Sequence, residues 1–283
     1  MKPGIYNMPD ADYFAIEAAS NSKLKAISRS PAHLKAANRP PTAAILAGTS
    51  IHCAILEPEK FLSTHAVIPE DAPRKPTAPQ IKAYEEGRPT EKAEMSIRYW
   101  TQWDAMNEGK LIITNEQSAE FQRIGNSVRH HPELSQFFNT GKAEQVVIAN
   151  DPVTGVLCKC KPDYLTKILD NKIILEVKSC EDARKYPFQR TAYKYGYFQG
   201  AAFYTDVMDW SIGKPDLYLM IALERDEPYG IQIYEVPPWA IERGREEYRE
   251  GLNLYAECVK TDQWPSYSTD IQILDYPYPK ESP

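Results

Sequence analysis

Lys161-Pro162-Asp163-Tyr164 and Leu175-Glu176-Val177-Lys178, with twelve residues between the two acids, decide how this chain is read. Asp170-Asn171 between them is a turn signal. Ile173-Ile174-Leu175 reads as a buried strand running into the Glu-Val-Lys. Two adjacent strands then bring Asp163 and Glu176 to neighbouring positions. Side chains alternate along a strand, so Glu176 and Lys178 share a face. The pattern predicts two carboxylates and an ammonium converging on one spot. Carboxylate oxygens suit a hard cation such as Mg²⁺. Such an ion polarises a phosphate and lowers the pKa of a bound water. The ammonium can orient or deprotonate that water, or offset developing charge. These are the parts needed to cut a phosphodiester. Alone, the same pattern also describes a surface ion pair between Lys178 and a strand-end acid, so the rest of the chain must decide.

The 283 residues are enough for one large domain or two small ones, and the 42% apolar content is that of a globular protein. No run of about eighteen apolar residues predicts a membrane span, and residues 1–10 hold no signal-peptide pattern. The five cysteines, Cys53, Cys158, Cys160, Cys180 and Cys258, are too scattered for a disulfide framework, which fits a reducing cytoplasm. Cys158 and Cys160 form the one close pair and read as small strand residues. The net charge of −6 hides local basic clusters. From Ala18 to Leu56 there is no acid, but Lys23, Lys25, Arg29, Lys35 and Arg39. Arg184, Lys185, Arg190 and Lys194 follow the Glu-Val-Lys, and acids gather at Glu242–Glu250 and Asp270–Asp275. Each basic cluster reads either as a solvated helix face or as a grip on DNA.

Along the chain, Asn21 or Ser22 caps a short helix through Ile27, and Ser30-Pro31 starts another. Pro40-Pro41 breaks the chain. Thr42 caps a helix to about Leu56, stopped by Pro58, with Ile45, Leu46, Ile51, Ala54 and Ile55 expected to be buried and His52 in its second half. Residues 66–95, rich in proline and charge, read as a long surface excursion or a partly ordered lid. Helices are expected over 93–106 and 115–128. Strands are expected over 145–148, 156–164 and 173–178, a helix over 191–208, an antiparallel pair at 217–223 and 231–236, and a last helix over 241–259. The fold class expected is α/β or α+β: a mixed sheet flanked by helices (core 140–265) with a mainly helical N-terminal part (1–135), in one domain.

Gly48-Thr49-Ser50-Ile51-His52-Cys53-Ala54-Ile55-Leu56-Glu57-Pro58 resembles the Gly-x-x-x-His-x-x-x-Leu-Glu-Pro segment of the RecE (exonuclease VIII) family. Ala143-Glu144, Gly155 to Asp163, Glu176-Val177-Lys178, Ala202-Phe203-Tyr204 and Trp264-Pro265 follow in that family's order. The chain thus resembles the RecE and lambda-exonuclease branch of the PD-(D/E)XK nuclease superfamily from about Gly4 to Trp264. The resemblance implies a restriction-endonuclease-like core and metal ligands at His52, Asp163, Glu176 and the Val177 carbonyl. It makes Glu144 a second-metal or water-positioning acid and Lys178 the base or charge stabiliser. From the residues alone, His52 reads as a satisfied core histidine, and the resemblance reverses that reading. Implied too are two Mg²⁺ ions, with Mn²⁺ as an alternative, and 5′→3′ digestion of linear double-stranded DNA ends. A single-strand annealing partner, a ring of three or four subunits and a phage or prophage origin in the bacterial cytoplasm complete the expectation. DNA contacts are expected from Lys23, Lys25, Arg29, Lys35, Arg184, Arg190, Gln199 and Tyr204. The chain departs in having Glu176 where RecE has Asp. Gln199 precedes Phe203 by four residues and Tyr204 by five, whereas relatives place a Tyr four after the Gln, which leaves the role of Gln199 open. The alternatives are another nuclease on the same core (RecB-type or an endonuclease) and a non-catalytic DNA-binding protein.

Overall fold

A computed structural model describes residues 1–36 and 42–274; Arg39 of the basic stretch, the Pro40-Pro41 break and Asp275 lie outside them. The chain opens with β1 (Gly4–Tyr6), α1 (Asp10–Ala15), α2 (Asn21–Arg29) and α3 (Pro31–Lys35). There follow α4 (Ala43–Leu56), α5 (Phe61–Thr64), β2 (His65–Val67), α6 (Ala78–Glu85), α7 (Glu91–Met106), β3 (Leu111–Ile113) and α8 (Asn115–Arg129). The strands β4 (Lys142–Ala143), β5 (Val146–Asn150), β6 (Leu157–Cys160), β7 (Tyr164–Ile168) and β8 (Asn171–Cys180) come next. The chain ends with α9 (Lys185–Lys194), α10 (Tyr197–Ile212), β9 (Leu217–Glu224), β10 (Ile231–Glu235) and α11 (Pro238–Thr261).

The main sheet runs β10-β9-β8-β7-β4, a second runs β1-β5-β6, and β2 and β3 pair separately. Only β8 and β9 are parallel in the main sheet, and α9 and α10 supply the crossover that a parallel pair requires. This is the mixed α/β class that the pattern predicts. β8 lies in the middle, and its alternation divides two cores. Ile173, Leu175 and Val177 pack with Ile51 and Ile55 of α4 and Ile124 of α8. Ile174 packs on the other side with Phe203 of α10, Met220 of β9 and Tyr248 of α11. Burial on both faces explains the unbroken apolar run before the Glu-Val-Lys. Glu176 and Lys178 share the parity of Ile174 and so lie on the α10 side. Helix α4 is set against α8 at Gly125, where an added Cβ would stand 2.6 Å from the Ala54 carbonyl oxygen.

Several local expectations need correction. The strand expected over 156–164 is two strands. β6 pairs with β5, and β7 pairs with β8. Pro162 between them has no N–H for a ladder, so the chain changes sheets there. The helix expected over 191–208 begins at Lys185 and breaks at Gly196, which holds φ +62°, a left-handed conformation that ends one helix and starts the next. The excursion over 66–95 contains α6 and the start of α7. Pro79 sits in the first turn of α6 and Thr77 forms a capping box with Gln80, so these residues start a helix rather than prevent one. Ser20, not Asn21 or Ser22, caps α2. In α4, capped by Thr42 as expected, Ile45 and Leu46 are 58% and 37% exposed, outside the core cluster that Ile51, Ala54 and Ile55 join.

Candidate metal centre

The site residues come from four separate parts of the chain, and the seam between the two sheets brings them together. Asp163 closes the β6–β7 crossing. The hairpin register sets Tyr164 opposite Leu175, so Asp163 lies beside Glu176. Asp163 Oδ2 accepts the Val177 N–H at 2.7 Å, and the Asp163 N–H donates to Glu176 Oε1 at 3.1 Å. Lys178 Nζ donates to Glu176 Oε2 at 2.5 Å. His52 reaches in from α4, its Nδ1 3.6 Å from Asp163 Oδ1. The Val177 backbone draws the His52 pKa upward, against burial. Glu144 follows β4 in a left-handed conformation, φ +52°, and its N–H donates to the Asp163 carbonyl at 3.0 Å. A non-glycine residue in that region costs on the order of 1 kcal/mol, and it turns the Glu144 carboxylate toward the cluster.

One ligand atom each from His52, Glu144 and Asp163 lies within 4.8 Å of the others. Two oxygens on one ion at about 2.1 Å stand no more than about 4.2 Å apart, so closing in by a few tenths of an ångström would seat one. An imidazole and two carboxylates form a donor set that Mg²⁺ or Mn²⁺ accepts, and the residues fit a divalent ion. Glu176 adjoins this trio but directs its oxygens at the Asp163 N–H and Lys178. A cleft of about 590 Å³ opens onto His52 and Glu144, with Asp10, Thr49, Glu57 and Lys161 on its walls.

Burial, and then the Asp163 charge, push both Glu144 and Glu176 up to about 7. Burial alone would lower Lys178, but Glu176 and Asp163 outweigh it and hold its pKa above the ordinary lysine value. Burial lowers His52, against the pull of Asp163. The site therefore carries more negative charge than it can comfortably ionise, a condition that a cation relieves. This gives a signed prediction. Folded and metal-free, the two glutamates keep protons that the unfolded chain loses near pH 4.5. Their contribution to stability is full below that pH and is lost as pH rises to about 7. His52 works the other way near pH 6.5, as one group against two. The metal-free melting temperature should fall between pH 5 and 8, and Mg²⁺ should raise it far more at pH 8 than at pH 5. Equal stabilisation by Mg²⁺ at both pH values would count against these acids as ligands.

The expected DNA contacts are scattered, and several are engaged within the chain. Lys23 Nζ donates to the Ala18 carbonyl, Arg29 Nε to the Tyr267 hydroxyl, and Lys35 lies 4.2 Å over the Trp264 ring. Arg184 pairs with Asp182, while Arg190 is exposed. Gln199 is buried, with its amide on Asn21 Oδ1. Tyr204 packs against the core on the α10 side of the sheet, and burial and then Glu176 raise its pKa. Lys25 lies under the electrostatic influence of the site. It donates to the Tyr195 carbonyl at 2.6 Å, and burial, then Lys178, lower its pKa to about 8. Sequence reading missed Lys161, whose Nζ meets Glu144 Oε2 at 2.5 Å and Asp10 Oδ1 at 2.7 Å. Its place two residues before Asp163 was the available signal.

The model of the family described as "PDDEXK-like domain of unknown function (DUF3799)" matches residues 20–277. Among solved structures, a candidate exonuclease from Eubacterium rectale is similar at 13% identity over 97% of each chain, with a TM-score of 0.55. That similarity is one of fold. The structure named SSO0001 matches 75% of this chain and 88% of its own at 13% identity, and its TM-score of 0.28 carries no argument. No curated protein matches the sequence. Among the described residues, no helix is long and apolar enough to cross a membrane.

Proposed function

Because the chain belongs to the family of PDDEXK-like domains of unknown function (DUF3799), we propose that it is a Mg²⁺-dependent exodeoxyribonuclease acting on the ends of linear double-stranded DNA. The observation that carries this reading is the meeting of His52, Glu144 and Asp163 beside the Glu176–Lys178 pair. His52, Asp163 and Glu144 would hold the ion, with Glu176 adjoining. A bound divalent ion supplies polarisation of the phosphate and a water of lowered pKa. Lys178 acts as a fixed cation. Glu176 and Asp163 keep it protonated, so it offsets charge developing on the phosphate and does not serve as the base. Asp163 also steadies the backbone around it. Its Oδ2 accepts the Val177 N–H and so fixes the strand end on which Glu176 and Lys178 stand. Lys161 restrains Glu144 until an ion takes over its charge.

Preference for ends, 5′→3′ polarity, a ring of three or four subunits and delivery of a 3′ strand to an annealing protein rest on the resemblance of the His52 segment and of the motif order. Linear and covalently closed circular duplex, each with and without Mg²⁺, test the central point. Digestion of the linear form alone, with release of 5′ label before 3′ label, is expected. Nicking or linearisation of the circle would turn the reading to an endonuclease, and digestion with chelator present would remove the metal from it. Solution mass with and without a DNA end reads the assembly.

A further inference from the structure

Between positions 69 and 98 the chain carries six cationic side chains and six acids. Three of the cations are paired: Lys82 and Arg88 with Glu86, and Arg98 with Glu94. The three with no acid partner among the described residues, Arg74, Lys75 and Lys92, all line one cavity of about 460 Å³, together with Thr77 and Ser96, and no described acid lines it. In a segment of balanced charge, this sorting concentrates positive potential at a single concave place. The place is also built. Ser96 Oγ donates to the Arg74 carbonyl at 2.8 Å, and Trp100 Nε1 donates to the Pro73 carbonyl at 2.8 Å. The Lys75 ammonium lies 4.7 Å over the Trp100 ring. Two side chains of α7 thus pin the main chain that presents Arg74 and Lys75 to the cavity that Lys92 also lines.

We propose that this cavity is a phosphate-backbone site, a second hold on nucleic acid remote in sequence from the metal centre. The ligand class is a phosphodiester. Arg74 offers a planar fork for two phosphate oxygens, and the two lysines add point charges. The inference rests on the nuclease reading and adds to it where the substrate is gripped.

The test is binding of a fluorescent duplex of several turns across a salt series, with Ca²⁺ in place of Mg²⁺ to hold back cleavage. The variants are wild type, Arg74→Ala/Lys92→Ala, and the matched control Lys82→Ala/Arg98→Ala. The cavity variant should bind roughly tenfold to a hundredfold more weakly at low salt, with the log–log salt slope reduced by about 2. The control should stay within about twofold of wild type. Adding Lys75→Ala should reduce the slope by about one more. It is held for the second variant because Lys75 also packs on Trp100, and its melting temperature accompanies the measurement. Under Mg²⁺, cleavage by the first variant at saturating duplex should match wild type, with only KM raised. An unchanged slope in the cavity variant, or an equal loss in the control, overturns the site and leaves the nuclease reading standing if wild type still digests DNA. Wild type that neither binds nor digests duplex overturns both. Inorganic phosphate is the last arm. Saturation of the cavity by millimolar phosphate, lost in the variant while duplex affinity stays unchanged, assigns the cavity to a small anion and overturns the backbone site.

Discussion

Asp163→Asn should digest end-labelled linear duplex at least about a thousandfold more slowly than wild type under Mg²⁺, equivalent to about 4 kcal/mol of transition-state stabilisation. Asn is a sharper probe than Ala because of the second bond Asp163 makes. Its Oδ2 accepts the buried Val177 N–H at 2.7 Å, and an orphaned donor there would cost about 1–3 kcal/mol of stability. An amide keeps an acceptor for that N–H while removing the negative charge and one ligand oxygen. The expected signature is therefore separable. The metal-free melting temperature should hold or rise, because Asp163 no longer raises Glu144 and Glu176 by its charge. The Mg²⁺-induced rise in melting temperature should shrink. Asp163→Ala should lose activity to the same degree and stability as well. An Asp163→Asn protein that digests at more than about a tenth of the wild-type rate would remove Asp163 from the metal site and the proposed function with it.

The second large effect lies away from the chemistry. Gly125→Val should destabilise the fold by roughly 3 kcal/mol or more and weaken Mg²⁺ binding about tenfold or beyond. A Cβ at 125 would stand 2.6 Å from the Ala54 carbonyl oxygen and 2.9 Å from its carbon, and neither atom can swing aside as a side chain would. The only relief is to move α4 off α8. Ala54 is two residues from His52 on the same helix, so the displacement carries the imidazole away from Asp163. Urea denaturation and Mg²⁺ titration by melting shift read the two consequences. Loss of stability with unchanged Mg²⁺ affinity in the folded fraction would show that α4 does not set the position of His52.

The chemistry-bearing part of the fold was legible because it is written in local patterns. Asp170-Asn171 marked the hairpin turn, the apolar run marked a strand buried on both faces, and alternation placed Lys178 beside Glu176. His52 was legible only through its resemblance to a known segment, since its approach depends on the packing of α4 on α8, which no short-range pattern encodes. What misled was chain punctuation with two meanings. Pro162 marks a change of sheet, yet its flanking residues read as one strand. Gly196 breaks a helix inside a continuous aromatic pattern. Pro79 opens α6 within a stretch that reads as irregular. Lys161 and Lys25 were visible as basic residues, but that one meets Glu144 and the other faces Lys178 depends on long-range geometry.

The seam at Pro162 has a consequence for the life of the polypeptide. Position 52 comes from a helix made early in synthesis, 144 from the turn after a short edge strand, 163 from the crossing between sheets, and 176 and 178 from the central strand. A chain halted on the ribosome before that strand emerges holds only part of the set, and a chain released but not yet closed holds the parts at a distance. Under the proposed function, competence to cut DNA would arrive with the last long-range contacts, and half-finished copies of the protein would hold no cutting power.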